Sequence, residues 1–121
     1  MELTKEEQEQ IIAGAEKKRR LAGIIGIAKK AGKLIIGTEL VTGGIRSGAP
    51  HKCAAAVFLA CDAAANSEKR IRNCCSYYEV PMETLQLTAE ELARAVGKDA
   101  PLVTVGVLDP GLAEAISERN R

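Results

Sequence analysis

The chain has 121 residues, enough for one compact domain and too few for two. Hydrophobic residues make up 46%, which excludes wholesale disorder; with no tryptophan, one phenylalanine and two tyrosines, aliphatic side chains and alanine must fill the core. The net charge of +1 gives no global attraction for a polyanion, but seven basic and no acidic residues lie between Lys17 and Lys33, and a phosphate senses that local field.

Residues 1–20 read as a charged N-terminal helical extension, and 21–121 as the domain proper. Thr4 followed by Glu7 has capping-box spacing, so a helix can start there. Leu21, Ile24, Ile25 and Ala28 recur at helical spacing, with Lys29 and Lys30 off the stripe. Gly32 is the expected stop. Leu34 to Ile36 reads as a strand, and Thr38 is the N-cap candidate of a helix running to Ser47. That helix holds two adjacent glycines, Gly43 and Gly44, each costing about 0.8–1.0 kcal/mol against alanine.

"AAAVFLA", Ala54 to Ala60, suits a buried strand, since Pro50 precedes it and Asp62 follows. Ile71, Cys74, Cys75 and Tyr78 define the next helix, with Asn66 or Ser67 as cap. Pro81 to Leu87 reads as a third strand. A capping box at Thr88 and Glu91 opens a helix, Leu102 to Val107 forms a fourth strand, and Asp109-Pro110 starts the last helix. A helix followed by four strand–helix units implies an α/β fold, a three-layer α/β/α sandwich with a four-stranded mixed sheet.

Catalytic and metal chemistry is poorly supplied. The four cysteines contain no CxxC, and His51 is the sole histidine, so no metal site is expected. The cysteines read as small core residues. A nucleophile pair would need His51 with Cys53, a weak candidate. Gly26 and Gly32 are separated by five residues rather than the four of a P-loop, and Leu34 stands where Ser or Thr would hold magnesium. Asp62 and Asp109 end strands, where they fit as turn or cap residues. No apolar run is long enough to span a membrane. The expectation is a non-enzymatic cytoplasmic monomer without cofactor, metal or membrane partner.

One stretch points to a ligand. Gly37 and Thr38 stand where a strand hands over to a helix. The first helical N–H groups there lack partners and carry the positive end of the dipole. Lys29, Lys30 and Lys33 precede them, which suggests a compact anion site of amides and lysines.

"IAKKAGKLIIGTELVTGGIRSG" resembles the signature of the L7Ae/L30e ribosomal protein family, the kink-turn RNA binders. The likeness continues through "ACDAAANSEKRIRNCCSYYEVP" and "EELARAVGKDAPLVTVGVLDPG", covering about Leu21 to Glu118, and within the family the bacterial L7Ae-like members are most alike. The resemblance implies the same sandwich and a structured-RNA partner, kink-turn-like and possibly ribosomal RNA or the ribosome itself. It implies that Gly37, Thr38 and Glu39 meet the sheared G·A pairs. Lys29 and Lys33 would hold phosphates, with Lys30, Gly32 and Arg46 counted in the same surface. The loop Lys98 to Leu102 would close over a flipped-out nucleotide, with Ala100, Pro101 and Leu102 as apolar cover.

The sequence also departs from that pattern. Strong kink-turn binders usually carry asparagine or lysine, then glutamate or glutamine, then a lysine three positions on; here those places hold Glu39, Leu40 and Gly43. A lost base contact of this kind removes about 1–3 kcal/mol of discrimination. The alternative functional expectation is a protein–protein adaptor that keeps the fold with weakened RNA specificity.

Overall fold

The computed structural model describes residues 2–49 and 52–121. Nine elements follow in order: α1 (Lys5–Lys30), β1 (Leu34–Ile36), α2 (Thr38–Ser47), β2 (Ala56–Leu59), α3 (Ala65–Tyr77), β3 (Met82–Thr84), α4 (Ala89–Ala95), β4 (Thr104–Val107) and α5 (Pro110–Asn120). The strands form one sheet in the order β1-β4-β2-β3. β4 runs antiparallel to both β1 and β2, while β3 lies parallel to β2, so the sheet is mixed as the alternation of elements implies.

Strand parity divides the core. Phe58 and Val105 point to one side, where α1, α4 and α5 supply Leu21, Ile25, Leu92 and Ile116. Val57 and Leu59 point to the other, where α2 and α3 supply Val41, Ile45, Ile71 and Cys75. This period-2 partition makes the three-layer sandwich. β1 matches the run read as a strand, while β2, β3 and β4 are shorter than theirs. Beyond Leu59 the pairing with β4 runs on by one in-register bond, Ala60 N–H to Val103, and Cys61 N–H then donates to Leu87 beyond β3.

α1 is continuous from the Thr4 cap, whose side chain accepts from Glu7 N–H, and is about 39 Å long. Its apolar stripe is buried only from Leu21 on; the preceding charged turns extend past the body of the fold. Its end forms a Schellman motif, with Gly32 N–H donating to Lys29 and Lys33 N–H to Ala28.

The α3 cap and one cysteine differ from expectation, while the aspartates act as expected. The cap of α3 is Ala64, and Asn66 and Ser67 lie inside the helix. The strand-end aspartates serve the backbone: Asp62 accepts from Ala89 N–H at 2.7 Å, and Asp109 caps α5 through Leu112 N–H at 2.8 Å. Cys74 and Cys75 are core residues and Cys53 is half-buried, but Cys61 is exposed because it sits in the turn that leaves β2. His51, and with it the His51–Cys53 pair, lies outside the described residues.

Candidate nucleic-acid interface

α2 begins one residue earlier than its sequence suggests. The N-cap is Gly37, at φ 99° and ψ 145°, a conformation that only glycine adopts without strain. Gly37 N–H donates to Thr104 of β4 at 3.0 Å, and its carbonyl accepts from Val41 N–H at 3.0 Å. Thr38, the expected cap, is instead the first helical residue. Its hydroxyl turns inward and pairs with that of Thr104 at 2.9 Å. Thr104 is fully buried, so this bond satisfies a polar group the strand would otherwise strand in the core. The Thr42 hydroxyl donates back to the Thr38 carbonyl at 2.8 Å.

Gly37 has no side chain to cap with, so among the described residues the N–H groups of Thr38, Glu39 and Leu40 make no hydrogen bond. Three backbone donors thus open to solvent at the positive end of a ten-residue helix. Glu39 stands beside them. Its carboxylate pairs with Arg70 of α3 at 2.9 Å, and that hydrogen bond and charge hold the carboxyl below its ordinary range. Arg46, in the last turn of α2, adds a smaller pull in the same direction. Arg70 was not anticipated. It is one of several basic residues off the α3 stripe, and nothing in local spacing pairs it with a residue 31 positions away.

The loop after α4 reaches the same end of the sheet. It is strapped along α4 by Lys98 N–H to Ala93 at 2.8 Å and Leu102 N–H to Ala89 at 3.0 Å, then enters β4 at Thr104, the partner of Gly37. Lys98, Ala100 and Pro101 are exposed there. Leu102 is buried in the core, so its side chain lies beneath the loop rather than on its surface. The base-covering apolar surface is therefore Ala100 and Pro101.

The lysines occupy the other end of β1. Lys33 accepts from Leu108 N–H at the exit of β4, whereas Gly37 meets Thr104 at its entrance. Three residues of extended chain lie between Lys33 and Gly37, four steps and about 13 Å. Lys29, Lys30 and Gly32 are exposed in the Schellman turn beside Lys33. The expected compact cluster is thus two stations along the open edge of β1, because the strand expected at Leu34 to Ile36 forms and holds them at its two ends. Arg46 is a third station, near Arg70, Tyr77 and Tyr78.

The paired glycines separate into two roles. A Cβ on Gly44 would fall 2.0 Å from the carbonyl oxygen of Lys52, so this position admits the returning backbone only as glycine. Gly43 meets nothing within 4 Å and is exposed, so it leaves a gap beside Leu40 and Ser47 where a side chain would stand. Among the described residues no three His, Cys, Asp or Glu side chains converge as a metal site, and no helix is long and apolar enough to cross a membrane.

This arrangement has relatives. The Ribosomal protein L7Ae/L30e/S12e/Gadd45 family profile matches residues 19–117. The chain belongs to this family. It is 37% identical over 101 residues to "RNA-binding protein YlxQ" of Enterococcus faecium, covering 84% of this chain and 91% of that one. It is 36% identical over 93 residues to "RNA-binding protein YlxQ" of Bacillus subtilis strain 168, covering 77% and 87%. Among solved structures, a protein of unknown function from Bacillus halodurans superposes with a TM-score of 0.72 at 26% identity, over 83% of this chain and 95% of that one. A Giardia lamblia 15.5kD RNA binding protein shares the fold at a TM-score of 0.65 and 18% identity, over 86% and 84%. The family match includes every station of the interface, from the lysines at the end of α1 to the loop before β4.

Proposed function

We propose that this L7Ae-family protein is a non-enzymatic, cytoplasmic binder of structured RNA that reads a kink-turn-like element, in a ribosomal or other ribonucleoprotein setting. The observation that carries the reading is the start of α2: three unpartnered amides on a glycine cap, locked to β4 and flanked by an exposed loop. Such a surface offers fixed donors to sheared base pairs and phosphate oxygens without a side chain in the way. The YlxQ relatives, named as RNA-binding proteins, support the same partner class.

In this reading the G·A pairs rest on Gly37, Thr38 and Glu39, and the flipped nucleotide lies under Ala100 and Pro101. Lys29, Lys30 and Lys33 hold the phosphate backbone at the far end of β1. The Arg70 pairing keeps the Glu39 charge from facing the phosphates alone. Specificity here rests on shape more than on base edges, since Leu40 has no hydrogen-bonding group and Gly43 no side chain.

The charge-reversal variant K29E/K33E tests the assignment. Loss of RNA binding, with unchanged circular dichroism, is the expected result; unchanged affinity would remove the lysines from the site. A protein–protein adaptor is the second reading, favoured by the exposed Ile11 and Ile12 on the projecting part of α1. Ribonuclease-insensitive recovery of proteins alone would support it.

A further inference from the structure

Tyr77 is 81% exposed at the end of α3, the most exposed large apolar side chain of the described residues. Its ring is set edge-on against Tyr78, with centroids 4.9 Å apart and planes at 72°. The pair borders a depression of about 380 Å³ between α2 and α3, completed by Arg46, Arg70 and Asn73 over a floor of Cys74. Nothing in the RNA reading above uses these rings.

The chemistry of this depression is that of a single-strand platform. A flat ring standing clear of the surface offers a face to an unstacked base, and every base has such a face. The neighbouring guanidinium groups supply cations for the phosphates on either side. Arg46 makes no ion pair among the described residues. Arg70 spends one terminal nitrogen on Glu39 and keeps further donors. The nearby Glu68 is paired with Arg72, so it does not oppose the field. Arg46, unpaired among the described residues, and the remaining donors of Arg70 around an exposed ring favour a polyanion over an apolar protein surface.

The depression is also continuous with the proposed kink-turn site. α2 carries Gly37 at its start and Arg46 in its last turn, about 12–14 Å apart along the axis. The Glu39–Arg70 bridge joins the two, since Glu39 stands at the α2 start and Arg70 lines the depression. We propose that Tyr77, supported by Tyr78 and flanked by Arg46 and Arg70, is a second RNA contact that stacks a base of the single-stranded segment leaving the kink-turn. This inference rests on the RNA reading above and adds a place and a chemistry for the flanking strand.

The test uses the protein's own spectroscopy. It has no tryptophan, and its only two tyrosines are these, so tyrosine emission reports this platform alone. The full chain is titrated with a blunt kink-turn RNA, the same RNA with a single-stranded extension, and the extension alone. The extended RNA is expected to quench tyrosine emission and to bind more tightly than the blunt one. Y77A is expected to weaken the extended RNA by about 5- to 150-fold, the loss of one base–aromatic stack, and to leave the blunt RNA unchanged. Y77F should retain the affinity. R46Q should lower the salt slope for the extended RNA by about 1.

Equal affinity for blunt and extended RNA, with no quenching and no effect of Y77A, would overturn the proposal while leaving the kink-turn reading in place. Quenching and Y77A sensitivity with the extension alone, without binding to the blunt RNA, would uphold the platform and dismiss the kink-turn. Tyr77 packs little of its ring into the fold, so Y77A keeps the core intact, and Y77F provides the folded control.

Discussion

The hydroxyl of Thr38 lies 2.9 Å from that of Thr104, and this contact ties the start of α2 to the central strand β4. It fixes where the three open amides stand relative to the loop that precedes β4. Removing Thr38 leaves the buried Thr104 hydroxyl without this bond, at a cost of about 1–3 kcal/mol, removing Thr104 leaves the half-buried Thr38 hydroxyl at a smaller cost, and replacing both with isosteric apolar groups comes close to neutral. T38V and T104V are therefore each expected to destabilise the fold, and T38V/T104V to recover most of the loss. Urea denaturation of the three variants measures the coupling; additive losses would show that the pair does not act as a unit.

The glycine pair predicts opposite signs for neighbouring substitutions. G43A adds a methyl group to open helix surface and should stabilise by about 0.8–1.0 kcal/mol through propensity alone. G44A drives a Cβ into the Lys52 carbonyl and should destabilise by about 1–3 kcal/mol, as overpacking does. Thermal melting of the two variants decides the matter.

Glu39 and Arg70 should be coupled in RNA binding. E39Q removes a negative charge beside the open amides and is expected to tighten binding a few-fold at low salt. R70A removes a cation and also frees the Glu39 carboxylate, so it should cost more in the native background than in E39Q. Binding titrations of the two single variants and the double variant read that difference. Equal costs in both backgrounds would mean that the bridge does not matter to RNA.

Acid should weaken the join between α4 and α1 through Glu91. The hydrogen bond from Thr88 N–H holds this carboxyl below its ordinary 4.5, and Lys18 of α1 adds to the effect at 3.2 Å, against the opposing pull of partial burial. A depressed pKa in the folded state contributes stability that is present above the ordinary value and is lost as pH falls through the folded one. E91Q should be less stable than the parent at neutral pH and show a smaller decline into acid. Parallel melting curves across that range would contradict the assignment.

The cysteines should react in order of exposure. Burial, with Cys74 alongside, pushes the Cys75 thiol up to about 11, so it has almost no thiolate at neutral pH. Cys61 is exposed. Iodoacetamide followed by mass spectrometry should label Cys61 first and Cys75 only after unfolding.

The layers of the sandwich were readable because period-3.6 and period-2 patterns alternate along the chain, and because caps such as Thr4, Thr88 and Asp109 announce helix starts. Gly37 stood out in the residues themselves as a strand-to-helix glycine, the loop before β4 was pointed to only by the family resemblance, and the structure puts both at one end of the sheet. What local reading missed depends on distant partners. Thr38 looks like a cap until Thr104, 66 residues away, claims its hydroxyl. Leu102 looks like loop cover until α4 draws it into the core. The lysines are near Gly37 in sequence, but the strand read correctly at Leu34 to Ile36 sets them at its opposite end, a consequence of extended geometry that the expectation of one compact site overlooked. Asn120 carries no recognisable signal, yet it is buried and joins α5 to the β3 end by accepting from Gln86 N–H and donating to the Thr84 carbonyl, both at 2.9 Å.

The most direct measurement is a titration of the protein against a standard kink-turn RNA and the same RNA with its G·A pairs disrupted, each at two salt concentrations. If the start of α2 reads the shape of the kink, the intact RNA binds at least about tenfold more tightly, and the preference persists at the higher salt. Equal affinities for the two RNAs that fall steeply together with salt would leave only a basic surface, and contradict the account.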